Sequence, residues 1–351
     1  MEFLIQQTLI YTIPLLIVAM AGIYAERSGV INLALEGIMI FGAFAGVFFV
    51  NAVQKNNLFQ KEQGQMLLVI TLILCAICGA LFSLLLSFAA VTLKSNQTIT
   101  GTAINMLSAA AVLFAINVIS NQNVLGMYSG DSASWFMLKK STYGFDNTDT
   151  LSPVLKFLFV NDDGNLNFFA RTFLIKNYST TYICLLTFII LSIILYKTPF
   201  GLRLRAFGEN PHAAASLGVN VYKMRYYGTT ISGALAGVGG FVFALTTANC
   251  TSNGDVAGFG FLALAVMIFG NWNPWTVAGA AFLFGFFKCV AAAYSTIDIN
   301  GDGIYLLSQI GLSSDFYRLL PYLVTLIVLA FTSKKSRAPK AEGIPYDKSL
   351  R

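Results

Sequence analysis

The chain is a succession of long apolar runs broken by polar stretches. The runs cover Phe3–Tyr24, about Val30–Val50, Met66–Val91, about Ile99–Ile119, Tyr178–Tyr196, Tyr226–Ala248, Phe261–Gly270, Trp275–Tyr294 and Phe316–Phe331. A helix needs about 20 apolar residues to cross a bilayer, and most of these runs come near that length. The pattern predicts an all-α fold, a polytopic transmembrane bundle of about nine spans over residues 1–333. Phe261–Gly270 is short, so its helix must start earlier or be broken. Gly228, Gly233, Gly237, Gly239 and Gly240 in the sixth run are spaced for close helix contact. The first run lacks a basic leader and a small-residue cleavage site, and reads as a retained helix.

Two polar stretches stand out. Asn121–Asn177 is too long for a turn and is expected to form a small extracytoplasmic insertion. Asn210–Gly218 reads as a short helix with both ends marked. Asn210 can cap it, Pro211 fits the first helical position, and Gly218 suits a left-handed stop. Pro211–Leu217 would be about 10 Å long, too short to span. Ala213, Ala214 and Leu217 are expected to share one side of it. With Lys197, Arg203 and Arg205 before it and Lys223 and Arg225 after it, the 199–225 loop is a candidate docking element on the cytoplasmic face.

Leu33–Gly42 echoes Leu262–Gly270 with one residue dropped. Similar apolar runs can recur by chance. If the echo is real, it marks an inverted repeat with broken helices, the arrangement by which many transport folds build a midplane passage.

Composition agrees with the membrane reading. Hydrophobic residues make up 56% and charged residues 11%, against about 25% charged in soluble proteins; mean hydropathy is +0.69. Much of the positive excess behind the net charge of +6 sits in the 199–225 loop and in the basic 334–351 tail, which places both inside. Counting spans then puts Lys94 inside, and the N-terminus and Asn121–Asn177 outside. No basic patch interleaved with aromatics points to nucleic acid.

The chemistry is sparse. There is no phosphate-binding Gly-x4-Gly-Lys-[Ser/Thr] loop, no Ser-His-Asp set, and a single histidine, His212. No metal and no catalytic role is assigned. Cys75-x-x-Cys78 reads as packing on one helix. Asp298–Gln309 imitates a calcium loop but ends on glutamine where the bidentate glutamate belongs. Glu26 and Arg27 are expected to pair at an interface. Glu36 is the carboxylate set into a predicted span, and such a group is a functional candidate. Asn32, Gln97, Thr98 and Asn105 are uncharged candidates for lining a passage, where they would suit a substrate recognised by hydrogen bonds. Each of them alone is more often a helix–helix contact. A secondary transporter in which Glu36 carries a proton stays open on these residues.

Glu26-Arg27-Ser-Gly-Val-Ile-Asn32-Leu-Ala-Leu-Glu36-Gly37 resembles the signature of permease subunits of bacterial nucleoside ABC importers. Asn96-Gln97-Thr98-Ile-Thr-Gly101-Thr-Ala-Ile-Asn105 is similar to the family's next motif. Gly201-Leu-Arg203-Leu-Arg205-Ala-Phe-Gly208-Glu209-Asn210-Pro211, with Ala213, Ala214, Leu217 and Gly218 beyond it, resembles the loop that couples to the ATPase. Ser232-Gly233-Ala-Leu-Ala-Gly237-Val-Gly239-Gly240 follows in order. The resemblance implies a nucleoside permease in the bacterial cytoplasmic membrane. It also implies a homologous second permease subunit, a cytoplasmic ABC ATPase that binds the ATP, and an extracytoplasmic substrate-binding lipoprotein. A simple-sugar permease is the alternative within the same class.

Overall fold

A computed structural model describes residues 2–138, 167–175, 177–294, 313–332 and 337–347. Its long helices are α1 (Glu2–Glu26), α2 (Leu35–Lys55), α3 (Gly64–Ser87) and α4 (Gln97–Ser120). After the short α5 (Ser132–Phe136) come α6 (Ser179–Lys197), α7 (Pro199–Glu209), α8 (Pro211–Ser216) and α9 (Val221–Thr246). The chain continues with α10 (Phe259–Phe269), α11 (Pro274–Ala293) and α12 (Ser314–Thr332). Seven described helices are long and apolar enough to cross a membrane; α10 is a shorter apolar helix. With α10 and α12, every predicted run finds its helix. These segments are helical because their backbone polar groups must be satisfied within the segment, and apolar side chains all round leave that as the stable solution.

α9 lies at the centre, packed against α1, α2 and α3. Its glycines make this possible. A Cβ on Gly240 would collide with the Met39 carbonyl of α2, and one on Gly237 with the Cys75 carbonyl of α3. Backbones in direct contact leave van der Waals packing and short interhelical hydrogen bonds to hold the helices. The hydroxyls of Ser87 and Thr229 meet at 2.5 Å across this seam.

The second span does not begin at Val30. The chain leaves α1 through Gly29, at φ +89°, and runs irregularly to Ala34 before α2 starts. Asn32 therefore lies in a break before the helix, and Glu36 in the helix's first turn. The seventh span starts earlier than its apolar run, at Phe259, after a loop containing Gly254 and Gly258 at positive φ.

The bundle has two distinct ends. At one, Leu125–Gly126 pairs antiparallel with Thr251–Ser252, Asn51 Nδ2 donates to the Gly126 carbonyl, and Lys61 meets Asp131 at 2.8 Å. Gln6 Nε2 donates to the Arg171 carbonyl there as well. At the other end lie Lys94, α7, α8 and residues 337–347, with Lys94 against Asp347 at 3.2 Å and Ala341 N donating to Gly208 O. Much of the 121–177 insertion, the calcium-like 298–309 stretch and residues 333–336 lie outside the described residues.

Candidate functional site

Two helix starts meet inside the bundle. The Glu36 carboxylate accepts from the backbone N–H groups of Gly258 (2.9 Å), Gly260 (2.6 Å) and Phe261 (3.2 Å). These are donors that the first turn of α10 leaves without an intrahelical partner, and the positive helix end favours the anion. Gly260 permits the approach, since a Cβ there would sit 2.5 Å from the Glu36 nitrogen.

The start of α2 is held in its turn by α4. Asn105 Oδ1 accepts from Gly37 N at 2.7 Å, and Asn105 Nδ2 donates to Leu33 O at 2.8 Å. Gln97 Oε1 accepts from Ile31 N at 2.7 Å. Asn32 Oδ1 accepts from Ala34 N, and its amide donates to Ser232 Oγ on α9 at 2.8 Å. Asn32, Glu36, Gln97 and Asn105 are thus brought together, and each gives at least one side-chain oxygen to a backbone N–H at one of the two helix starts. An irregular backbone at membrane depth needs such partners. Thr98 does not join them; it is exposed on α4.

A residue absent from the sequence-based candidates sits beside them. Lys288 of α11 places its ammonium 5.0 Å from the Phe259 ring centroid and 5.5 Å from that of Tyr322. A cation over aromatic faces is stabilised by their quadrupoles. Lys288 lies within the predicted run Trp275–Tyr294, and the rule that singled out Glu36 would have found it.

The docking loop is a pair of helices. Asn210 Oδ1 accepts from Ala213 N at 3.0 Å, Pro211 occupies the first position, and Gly218 takes φ +81°. The expected shared face of Ala213, Ala214 and Leu217 does not exist. Ala214 is turned into the protein, while Ala213 is exposed and Leu217 is 82% exposed. Ala214 sits about 100° round the helix from Ala213, while Leu217, the residue that caps the helix after Ser216, stays exposed with Ala213. Arg203 and Glu209 are exposed, and Arg205 lies over the Tyr196 ring at 4.6 Å. Gly208 packs on the chain itself, where a Cβ would lie 2.5 Å from the Arg27 carbonyl oxygen.

Glu26 and Arg27 do not pair as expected. Arg27 reaches Glu209 of α7 at 3.6 Å, whereas the buried Glu26 carboxylate accepts from the Trp272 indole and hydrogen-bonds Glu342. Glu26 ends α1 pointing into the bundle, and Arg27 is already in the turn that faces α7. Cys75 is buried and its thiol donates to the Gly42 carbonyl at 3.5 Å, a packing role.

A family described as branched-chain amino acid transport system / permease component matches residues 4–329. The chain is similar to the guanosine ABC transporter permease protein NupQ of Bacillus subtilis, with 35% identity over 100% of this chain and 98% of that protein. It is similar to the nucleoside ABC transporter permease protein NupC of Lactococcus lactis, with 34% identity over 99% and 98%. The putative glucose ABC transporter permease protein TsgC13 of Haloferax volcanii is 27% identical over 90% and 87%. No solved structure matches the chain. A multi-pass helical bundle with interrupted helices, matched over nearly its whole length, belongs to the family of branched-chain amino acid transport system permease components.

Proposed function

We propose that the chain is the membrane-spanning permease of a nucleoside ABC importer in the bacterial cytoplasmic membrane, where it forms the passage with a homologous second permease subunit. The observation that carries this reading is end-to-end likeness to two permeases named for nucleosides, at about one-third identity. A cytoplasmic ABC ATPase supplies the nucleotide sites, and an extracytoplasmic binding lipoprotein delivers the substrate. Deleting the gene should abolish uptake of radiolabelled guanosine in its host, and excess glucose should not compete in the parent strain. Loss of radiolabelled glucose uptake in the deletion strain, with guanosine uptake unchanged, would favour the sugar reading.

In this proposal α8 docks on the ATPase through Ala213 and Leu217, with Arg203 beside them. Leu217 is a large apolar side chain left in solvent at the basic end of the bundle, which suits a helix seated in a partner's groove. Leu217→Arg should insert normally and lose co-purification with the ATPase; Leu217→Met should retain it. Arg205, Gly208, Glu209, Asn210, Pro211, Ala214 and Gly218 shape and place this element from behind. Glu36 holds α10 and carries no coupling proton. Collapse of uptake with an uncoupler at constant ATP would refute that.

A further inference from the structure

We infer that residues 337–347 are a strap that ties the α7–α8 pair to the break at 27–34, so that motion imposed on α8 reaches the passage through the tail. The inference rests on the proposed docking of α8 on an ATPase.

The sequence reads this tail as a basic extension, yet it is folded back along the end of the bundle. Ala341 N donates to the Gly208 carbonyl of α7 at 2.8 Å. The Tyr346 ring is buried, 5.0 Å from the His212 ring of α8 and 5.6 Å from that of Tyr222 on α9. Arg225, only 1% exposed, donates through Nη1 to the Ile344 carbonyl at 2.9 Å. Its Nε and Nη2 atoms are buried and find no hydrogen-bond partner among the described residues. A buried guanidinium needs acceptors, and the tail supplies one. Further along, Gly343 takes φ +74° beside the Ile31 side chain; a Cβ there would lie 2.7 Å from Ile31 Cδ1. Ile31 is the residue whose N–H is held by Gln97 in the break. Arg337 N donates to Asn271 Oδ1 at 2.7 Å, so the strap also begins on the α10–α11 turn.

The mechanical need is visible in the joints. α8 has six residues and is joined to α7 by Asn210 alone. Beyond it Gly218 at positive φ leads into α9. Few residues at element ends are where large dihedral changes concentrate. A push on α8 would bend these joints unless something braces them. The strap contacts α7, α8, α9 and the break at once, and turns the hinge into a braced frame.

The test uses the whole importer in membranes and reads two quantities. Removal of the tail by a stop at Arg337, or its loosening by Tyr346→Ala, should raise amide hydrogen exchange in 208–216 and in 27–34 together, at least tenfold. Uptake should fall at least fivefold while the complex still assembles and hydrolyses ATP. Tyr346→Phe should behave as the parent. Lys94→Cys with Asp347→Cys, in a chain without its native cysteines, allows the strap to be held in place by a short bifunctional thiol reagent that spans the length of the lost side chains. Uptake should stay within twofold of the form without the cross-link, as a brace requires. Unchanged exchange in 27–34 after tail loss would overturn the inference, as would full uptake without the tail. Loss of uptake on cross-linking would also overturn it, and would make the tail an inhibitor that must leave. The exchange readout does not involve the ATPase, so it fails separately from the importer reading. That reading fails if uptake survives deletion of the ATPase.

Discussion

α2 and α10 carry a sequence echo, but their starts are held in different ways. α2 is held by a neutral amide, Asn105, whose side chain both accepts from Gly37 N and donates to Leu33 O. α10 is held by a carboxylate, Glu36, which accepts from three backbone nitrogens and donates nothing. The register differs too. Leu35 opens α2, whereas its counterpart Leu264 lies well inside α10. The supports are in series, since α4 holds Gly37 of α2 and the preceding residue, Glu36, holds α10. The neutral clasp thus falls within the first copy of the run, and the ionic one on the three residues just ahead of the second, decided by what each helix start faces.

The largest break in this comparison should come from Glu36→Ala. It strips the acceptor from α10's first turn, and each buried N–H left unpaired costs about 1–3 kcal/mol. Uptake should be lost and the detergent-solubilised protein should melt several degrees lower. Glu36→Gln keeps an acceptor and forfeits the charge, worth about 1 kcal/mol at a partly buried helix end. It should retain part of the uptake, still dependent on ATP. Gly260→Ala tests closeness rather than charge. Its Cβ would meet the Glu36 nitrogen and Cα at 2.5 and 2.6 Å, backbone atoms that cannot turn away. Overpacking of that kind costs about 1–3 kcal/mol, read as a lower melting temperature with intact insertion.

Asn105→Ala should weaken the neutral clasp by about 0.6–2 kcal/mol, the range for interhelical polar contacts in membranes. If Asn105→Ala and Glu36→Gln act in series, their double variant will lose less than the sum of the two losses, as a double-mutant cycle would register.

The smallest effect expected is one of pH, at the tail. Burial raises the Glu342 carboxyl to about 7; its bond with Glu26 and the nearby Arg27 pull it the other way. Below the ordinary carboxylate range the group is neutral whether or not the tail is docked. Between the ordinary carboxylate range and about 7 the undocked carboxyl is ionised while the docked one keeps its proton, so docking is strongest in acid, weakens across that window and levels off above it. Protease cleavage of the tail should be faster at about pH 8 than at about pH 6. Glu342→Gln should flatten that difference.

The spans were legible because their side chains are apolar all round, a signal that survives without tertiary context. Helix starts were not. Asn32 read as part of a span because apolar residues begin at Val30, and what breaks the helix is the set of acceptors on α4 and α9, about 70 and 200 positions away. The short helix at 211–216 was marked by its own caps, which are local; which of its faces is free was not, because burial of Ala214 depends on neighbours. Lys288 is legible by the same rule as Glu36, a charge set into an apolar run. The tail's basic residues, Lys340 among them, suggested a solvated extension, whereas its placement rests on Gly343 and Tyr346, whose partners are distant in sequence.

The glycine seam around α9 also bears on how the protein is made. α1, α2 and α3 emerge from the ribosome well before residues 221–246, by on the order of ten seconds at 5–20 residues per second. Through that interval the slot that α9 will fill stands open, with Gly42, Gly79, Ser83 and Ser87 unpacked along its walls. The nascent chain must therefore be kept from other helices while its central strut is still being synthesised, and a substitution at Gly237 or Gly240 would act first on biogenesis, in protein that never leaves the insertion machinery.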